Sequence, residues 1–127
     1  MRILLDTHIF IWWNENPNLL SSKARKICED ETNILILSLA SVWEMQIKSQ
    51  LGKLTFNQSL PDIIRLQQNN GLELLPVTIQ HIYELENLPP HHRDPFDRLL
   101  IAQAQVEQMS LLTVDAAFEQ YGVKLSG

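Results

Sequence analysis

The chain has 127 residues and a formal charge of −5, from fifteen Asp and Glu against ten Lys and Arg. Its length suits one hydrophobic core, and 45% apolar with 20% charged residues is the balance of a globular fold, which excludes a disordered or collagenous chain. The acidic excess argues against a general, sequence-independent grip on nucleic-acid phosphates. The single cysteine, Cys28, excludes an intrachain disulfide and a cysteine-rich zinc site, and a reducing compartment is natural for it. Met1-Arg2-Ile3-Leu4-Leu5-Asp6 reaches a charge too early for a signal peptide or a membrane span, so a soluble, cytoplasmic protein is expected.

Ile3-Leu4-Leu5 is an apolar run without alternation, as a strand covered on both faces would show, and it ends at Asp6. Within 19–31, Leu20, Ala24, Ile27 and Cys28 recur at helical intervals, with Ser21 and Ser22 available as caps. A second strand-like run, Ile34 to Leu37, stops at Ser38. Residues 40–50 read as a helix carrying Trp43, Ile47 and Leu51 on one side and terminated by Gly52. Another helix over 60–69 has Pro61 in its first turn and stops at Gly71. Leu72 to Val77 is a third strand candidate that Pro76 interrupts, so it is expected to be short or at an edge. Thr78 caps a helix running through Tyr83 and Leu85. Pro89-Pro90-His91-His92-Arg93 excludes regular structure, and Asp94-Pro95 opens a helix reaching about Met109. Residues 111–114 are a fourth strand candidate ending at Asp115, followed by a short helix holding Phe118 and a fifth candidate at Val123-Lys124-Leu125.

Short buried-type strands alternating with helices predict an α/β fold: three layers, α/β/α, around a central parallel sheet of four to five short strands, in one domain over 1–127. In such sheets ligands bind beyond the carboxyl ends of the strands. Asp6 follows the first strand and Asp115 the fourth. Glu44 lies in the first turns after the second, and Asp97 in the first turn of the helix leading into the fourth, so all four reach one rim. Carboxylates packed together need protons or a cation, and an all-oxygen site suits a hard divalent ion. Each acid also has a structural reading. Asp6 favours a following helix N-terminus, Ser41 to Glu44 has capping-box spacing, Asp94 before Pro95 reads as an N-cap with Asp97 as its first-turn acid, and Asp115 reads as a cap.

Leu4-Leu5-Asp6-Thr7-His8, Ser38-Leu39-Ala40-Ser41-Val42-Trp43-Glu44, His92-Arg93-Asp94-Pro95-Phe96-Asp97-Arg98 and Leu112-Thr113-Val114-Asp115 resemble the ordered motifs of the PIN-domain family, and within it VapC-type toxins of bacterial toxin–antitoxin modules. The likeness runs over essentially the whole chain. His8 stands where many members carry Ser or Asn. The resemblance implies a Mg²⁺- or Mn²⁺-dependent ribonuclease, a homodimer, and a cognate antitoxin protein that screens the site. It also implies Asp6, Glu44, Asp97 and Asp115 as the catalytic acids. On this reading Asp6 and Asp97 bind the principal metal, Glu44 and Asp115 act directly or through water, and Thr7 either donates its hydroxyl to a carboxylate or, as a strand-terminal Thr, bonds its own backbone.

Arg93 and Arg98 flank Asp97, and Lys48 and Lys53 follow Glu44, so Lys48, Arg93 and Arg98 are candidate RNA contacts on a basic rim. A metal-independent cleavage by histidine acid/base catalysis is the rival chemistry. Here His81 is expected on a helix surface and His91 and His92 in an exposed loop. Trp12 and Trp13, neighbours about 100° apart on a helix, cannot both face one core. Alternatives in function are a housekeeping RNA-processing or DNA-acting nuclease of the same family and, in a different class, a catalytically silent binding module on that fold.

Overall fold

The computed structural model describes residues 1–90 and 94–113. In chain order the elements are β1 (Arg2–Leu5), α1 (Thr7–Glu15), α2 (Ser22–Glu29), β2 (Ile34–Ser38), α3 (Leu39–Gln50), α4 (Leu60–Asn69), β3 (Glu73–Leu75), α5 (Ile79–Glu84), α6 (Pro95–Glu107) and β4 (Ser110–Leu112), with 3₁₀ turns at Pro17–Leu19 and Leu85–Asn87. The four strands form one sheet in the order β3-β2-β1-β4, every pairing parallel. The expected short helix around Phe118 and the fifth strand at Val123-Lys124-Leu125 lie outside the described residues.

Strand residues alternate between two cores. Leu4, Ile36, Leu75 and Leu111 point to one face, where Leu100, Ile101 and Ala104 of α6 cover them. Ile3, Leu5, Leu37 and Leu112 point to the other, against Ile9 and Phe10 of α1, Ala24 and Cys28 of α2, Met45 of α3 and Ile63 of α4. This is the three-layer arrangement, and it explains the unbroken apolar strands: a sheet with helices on both sides has no solvent face. Among the described residues β3 is an edge strand, and Pro76, just past its end, removes no ladder bond. Glycine ends two helices where the chain must turn left-handed, Gly52 at φ +72° and Gly71 at φ +104°. In each case the next residue donates its N–H back to a carbonyl of the last turn, Lys53 to Lys48 and Leu72 to Gln67. Among the described residues no helix is long and apolar enough to cross a membrane.

One feature adds to the sequence reading and three depart from it. Thr7–Glu15 is a helix, although its β-branched and aromatic residues give it no helical preference; burial of Thr7, Ile9 and Phe10 overrides propensity. Trp12 and Trp13 are both half-buried beside the same core. α3 buries Ala40, Ser41, Glu44 and Met45, while Trp43 and Leu51, each 63% exposed, point outward. His81, expected on the surface, is fully buried between α5 and α6. Its Nδ1 accepts the Thr78 N–H at 3.0 Å, which leaves Nε2 to donate to Glu107 Oε2 at 3.0 Å.

Leu4→Ala, which opens a cavity at the centre of the sheet, is expected to cost about 2–5 kcal/mol in urea denaturation followed by circular dichroism. Trp43→Ala, losing an outward ring that meets Phe96 edge-on, is expected to cost about 1 kcal/mol or less.

Candidate active site

The strand order changes direction at β1, which has β2 on one side and β4 on the other. In a parallel sheet the crevice for a ligand opens beyond the carboxyl end at such a point. Asp6 stands there, between β1 and α1. It occupies the N-cap position of α1 but its side chain makes no cap bond. Instead the Thr113 hydroxyl donates to Asp6 Oδ2 at 2.8 Å, across the β1–β4 pairing that sets Leu5 beside Leu112. Only 4% of Asp6 is exposed, and this burial raises its pKa above the ordinary carboxylate value; the Thr113 hydroxyl and nearby His8 oppose the shift and Glu44 adds to it.

Glu44 is equally buried, on the inward side of α3. Ser38 caps that helix by accepting the Ala40 N–H at 3.0 Å, so the capping-box reading of Ser41 and Glu44 is superseded and both side chains are released for other partners. Thr7 Oγ1 lies 2.8 Å from Glu44 Oε1 and 2.9 Å from Ser41 Oγ. A hydroxyl has one proton, so Thr7 donates to the carboxylate and Ser41 donates to Thr7. On the other oxygen, Lys48 Nζ donates to Glu44 Oε2 at 2.8 Å, and this hydrogen bond raises the Lys48 pKa.

Asp94 is the N-cap of α6. Its Oδ1 accepts the N–H of Phe96 at 2.8 Å and of Asp97 at 3.4 Å, and Pro95 occupies the first turn. The acid three residues on, Asp97, lines a cavity of about 370 Å³ together with Asp6, Glu44, His8, Lys48 and Asp94. The carboxyl ends of β1 and β2 and the start of α6 thus bring Asp6, Glu44 and Asp97 to one opening. Arg98 donates to the carbonyls of Pro89 at 3.0 Å and Leu85 at 3.2 Å, fastening the turn after α5. Asp115, Arg93, His91 and His92 lie outside the described residues.

The sequence gives Thr113 no role and Ser41 only that of a helix cap. Thr113 carried a signal in its place two residues before Asp115, but its partner is 107 positions away and only the β1–β4 register joins them. Among the described residues no three acid, His or Cys side chains converge as a ready cage for an ion. The donors facing the cavity are nevertheless carboxylate oxygens, two of them buried, and this chemistry fits a hard divalent ion that keeps several waters and takes few protein ligands.

A PIN domain family model matches residues 3–124. No curated protein matches the chain significantly. Among solved structures, a chain of VapBC2 from Rickettsia felis, bound to a DNA fragment from its promoter, is 16% identical, with 98% of this chain and 96% of that one covered and a TM-score of 0.72. A chain of DNA-bound VapBC from Salmonella typhimurium is 14% identical with the same coverage and a TM-score of 0.69. One of VapBC-1 from nontypeable Haemophilus influenzae is 17% identical, again over 98% and 96%, with a TM-score of 0.64. At these identities the likeness is one of fold.

The raised pKa of Asp6 has a consequence for stability. The folded chain holds this proton more tightly than the unfolded one, so stability falls as pH rises from below 3.8 through the folded value, and ionised Asp6 is a liability at neutral pH. Asp6→Asn in EDTA is therefore expected to raise Tm at pH 7, with the gap closing toward about pH 4; an unchanged or lower Tm at pH 7 would contradict this.

Proposed function

This chain belongs to the PIN domain family, and we propose that it is a Mg²⁺- or Mn²⁺-dependent endoribonuclease, the toxin of a two-component toxin–antitoxin module restrained by a cognate antitoxin. The observation that carries the proposal is the meeting of Asp6, Glu44 and Asp97 at one cavity on the carboxyl edge of the sheet, in a chain matched by the family model over 3–124. The similarity in fold to chains of VapBC complexes supports the antitoxin as partner. A homodimer and a cytoplasmic location belong to the same reading.

Phosphodiester hydrolysis needs an activated water, compensation of charge on the phosphoryl oxygens and a leaving oxygen that does not depart bare. One or two bound divalent ions would supply a water of lowered pKa, that compensation, and Lewis-acid stabilisation of the leaving oxygen until it takes a proton from solvent. In our reading Asp6 and Asp97 hold the ion, Glu44 and Asp115 contribute directly or through water, and Asp6 stays oriented by the Thr113 hydroxyl. Thr7 fixes the rotamer of Glu44 through Oε1, and Ser41 fixes Thr7 in turn. Such outer hydrogen bonds align ligands before substrate arrives. Lys48 and Arg93 are the candidate RNA contacts of this reading, and Arg98 supports them by holding the turn at Pro89.

Purified protein is expected to cleave RNA with Mn²⁺ or Mg²⁺ and to stop in EDTA, whereas cleavage that persists in EDTA points to the histidine chemistry. Asp6→Asn and Asp97→Asn are expected to reduce turnover to background with the fold retained by circular dichroism. Thr7→Val is expected to lose about 10–100-fold in activity or metal affinity. Preferential cutting of a matched DNA substrate would turn the reading toward a DNA-acting nuclease.

A further inference from the structure

Among the described residues lining the acidic cavity, Lys48 is the one side chain that carries a full positive charge at every physiological pH. It stands one helical turn beyond Glu44, the order of acid and base that favours pairing along a helix. Glu44 is thus held by two donors of different kinds. Oε1 takes the Thr7 hydroxyl, which is uncharged, buried and tied to Ser41. Oε2 takes the Lys48 ammonium, carried on a flexible stem whose side chain remains 36% exposed. The first donor has nowhere to go, whereas the second can swing into solvent. Asp94 and Asp97 also act electrostatically on this ammonium, so it sits in the field of Asp97, an acid a metal ion would need, as well as of Glu44.

We infer that Lys48 is a built-in counter-cation: it neutralises Glu44 when no metal is bound and competes with a divalent ion for Oε2, so that loading the site requires the Lys48–Glu44 pair to open. The inference rests on the proposed metal dependence and adds to it a positioning residue that sets how readily the site loads. An ammonium and a divalent ion a few Å apart repel, and each strengthens its hold on the same carboxylate at the other's expense. The neutral Thr7 hydroxyl imposes no such conflict, so it stays on Oε1 in both states and keeps Glu44 aimed. A purely structural Lys48 would stabilise α3 without altering affinity for an ion.

The test is Mn²⁺ binding to the full chain by titration calorimetry, without RNA, for wild type, Lys48→Met, Lys48→Gln, Lys48→Arg, Glu44→Gln and the Lys48→Met/Glu44→Gln pair. Both neutral variants are expected to bind Mn²⁺ about tenfold more tightly than wild type. Lys48→Arg is expected to stay within about twofold, because it keeps the charge. With Glu44→Gln as background, Lys48→Met is expected to add about twofold or less, because the shared carboxylate is gone. Binding by wild type with no gain in either neutral variant overturns the counter-cation while leaving metal dependence standing. Absence of Mn²⁺ binding in every protein overturns the metal-dependent reading and this inference with it.

Discussion

Two carboxylates buried at one edge of a parallel sheet set the terms for the rest of this molecule. Water solvates a carboxylate strongly, and a site that excludes water must replace it with donors. The fold supplies them from three places: Thr113 beyond β4 for Asp6, Thr7 at the start of α1 for Glu44, and Lys48 one turn along α3. Only the last is local in sequence. Thr113 reaches Asp6 because β4 pairs with β1 in the register that sets Leu112 beside Leu5, and Thr7 reaches Glu44 because α1 and α3 leave adjacent strands. With β1 at an edge of the sheet, Asp6 would have no β4 neighbour and no Thr113.

The donors differ in what they leave behind. A hydroxyl stabilises a carboxylate without cancelling its charge, whereas an ammonium nearly neutralises it. Asp6 and the Oε1 side of Glu44 therefore keep their negative field, and only the Oε2 side is offset. Burial disfavours ionised Asp6, so the site works against the stability that the two apolar cores provide. Such opposition is common where a protein holds groups for chemistry that packing alone would reject. Elsewhere burial acts on a thiol: it pushes Cys28, on the inward side of α2, up to about 11, with Glu29 adding.

α3 shows how a site can reverse the reading of a helix. Trp43 and, just past the helix end, Leu51 would ordinarily mark the inward face, yet both are exposed. Glu44 and Ser41 point in because their partners, Thr7 and the cavity, are there, and Met45 and Ala40 pack on the sheet beside them. His81 follows the same logic. Its two ring nitrogens meet the Thr78 N–H and the Glu107 carboxylate, so a polar ring is satisfied in the interior.

Much of this was written in the sequence because it depends on neighbours in the chain. Apolar runs without alternation required a sheet covered on both sides, Pro76 placed β3 at an edge, Gly52 and Gly71 ended helices, and Asp94 before Pro95 capped α6. Each is settled by backbone geometry within a few residues. The strand-end rule also put Asp6, Glu44 and Asp97 at a common rim, since the carboxyl ends of parallel strands all face one way. The tertiary structure decided what depends on distant partners: that 7–15 is a helix despite its β-branched and aromatic residues, which face of α3 is buried, and that Asp6 is held by Thr113 and Glu44 by Thr7. Propensity and periodicity describe a segment against water. Burial and hydrogen-bond satisfaction describe it against whatever the fold brings beside it, and at this edge of the sheet those partners lie up to 107 residues away.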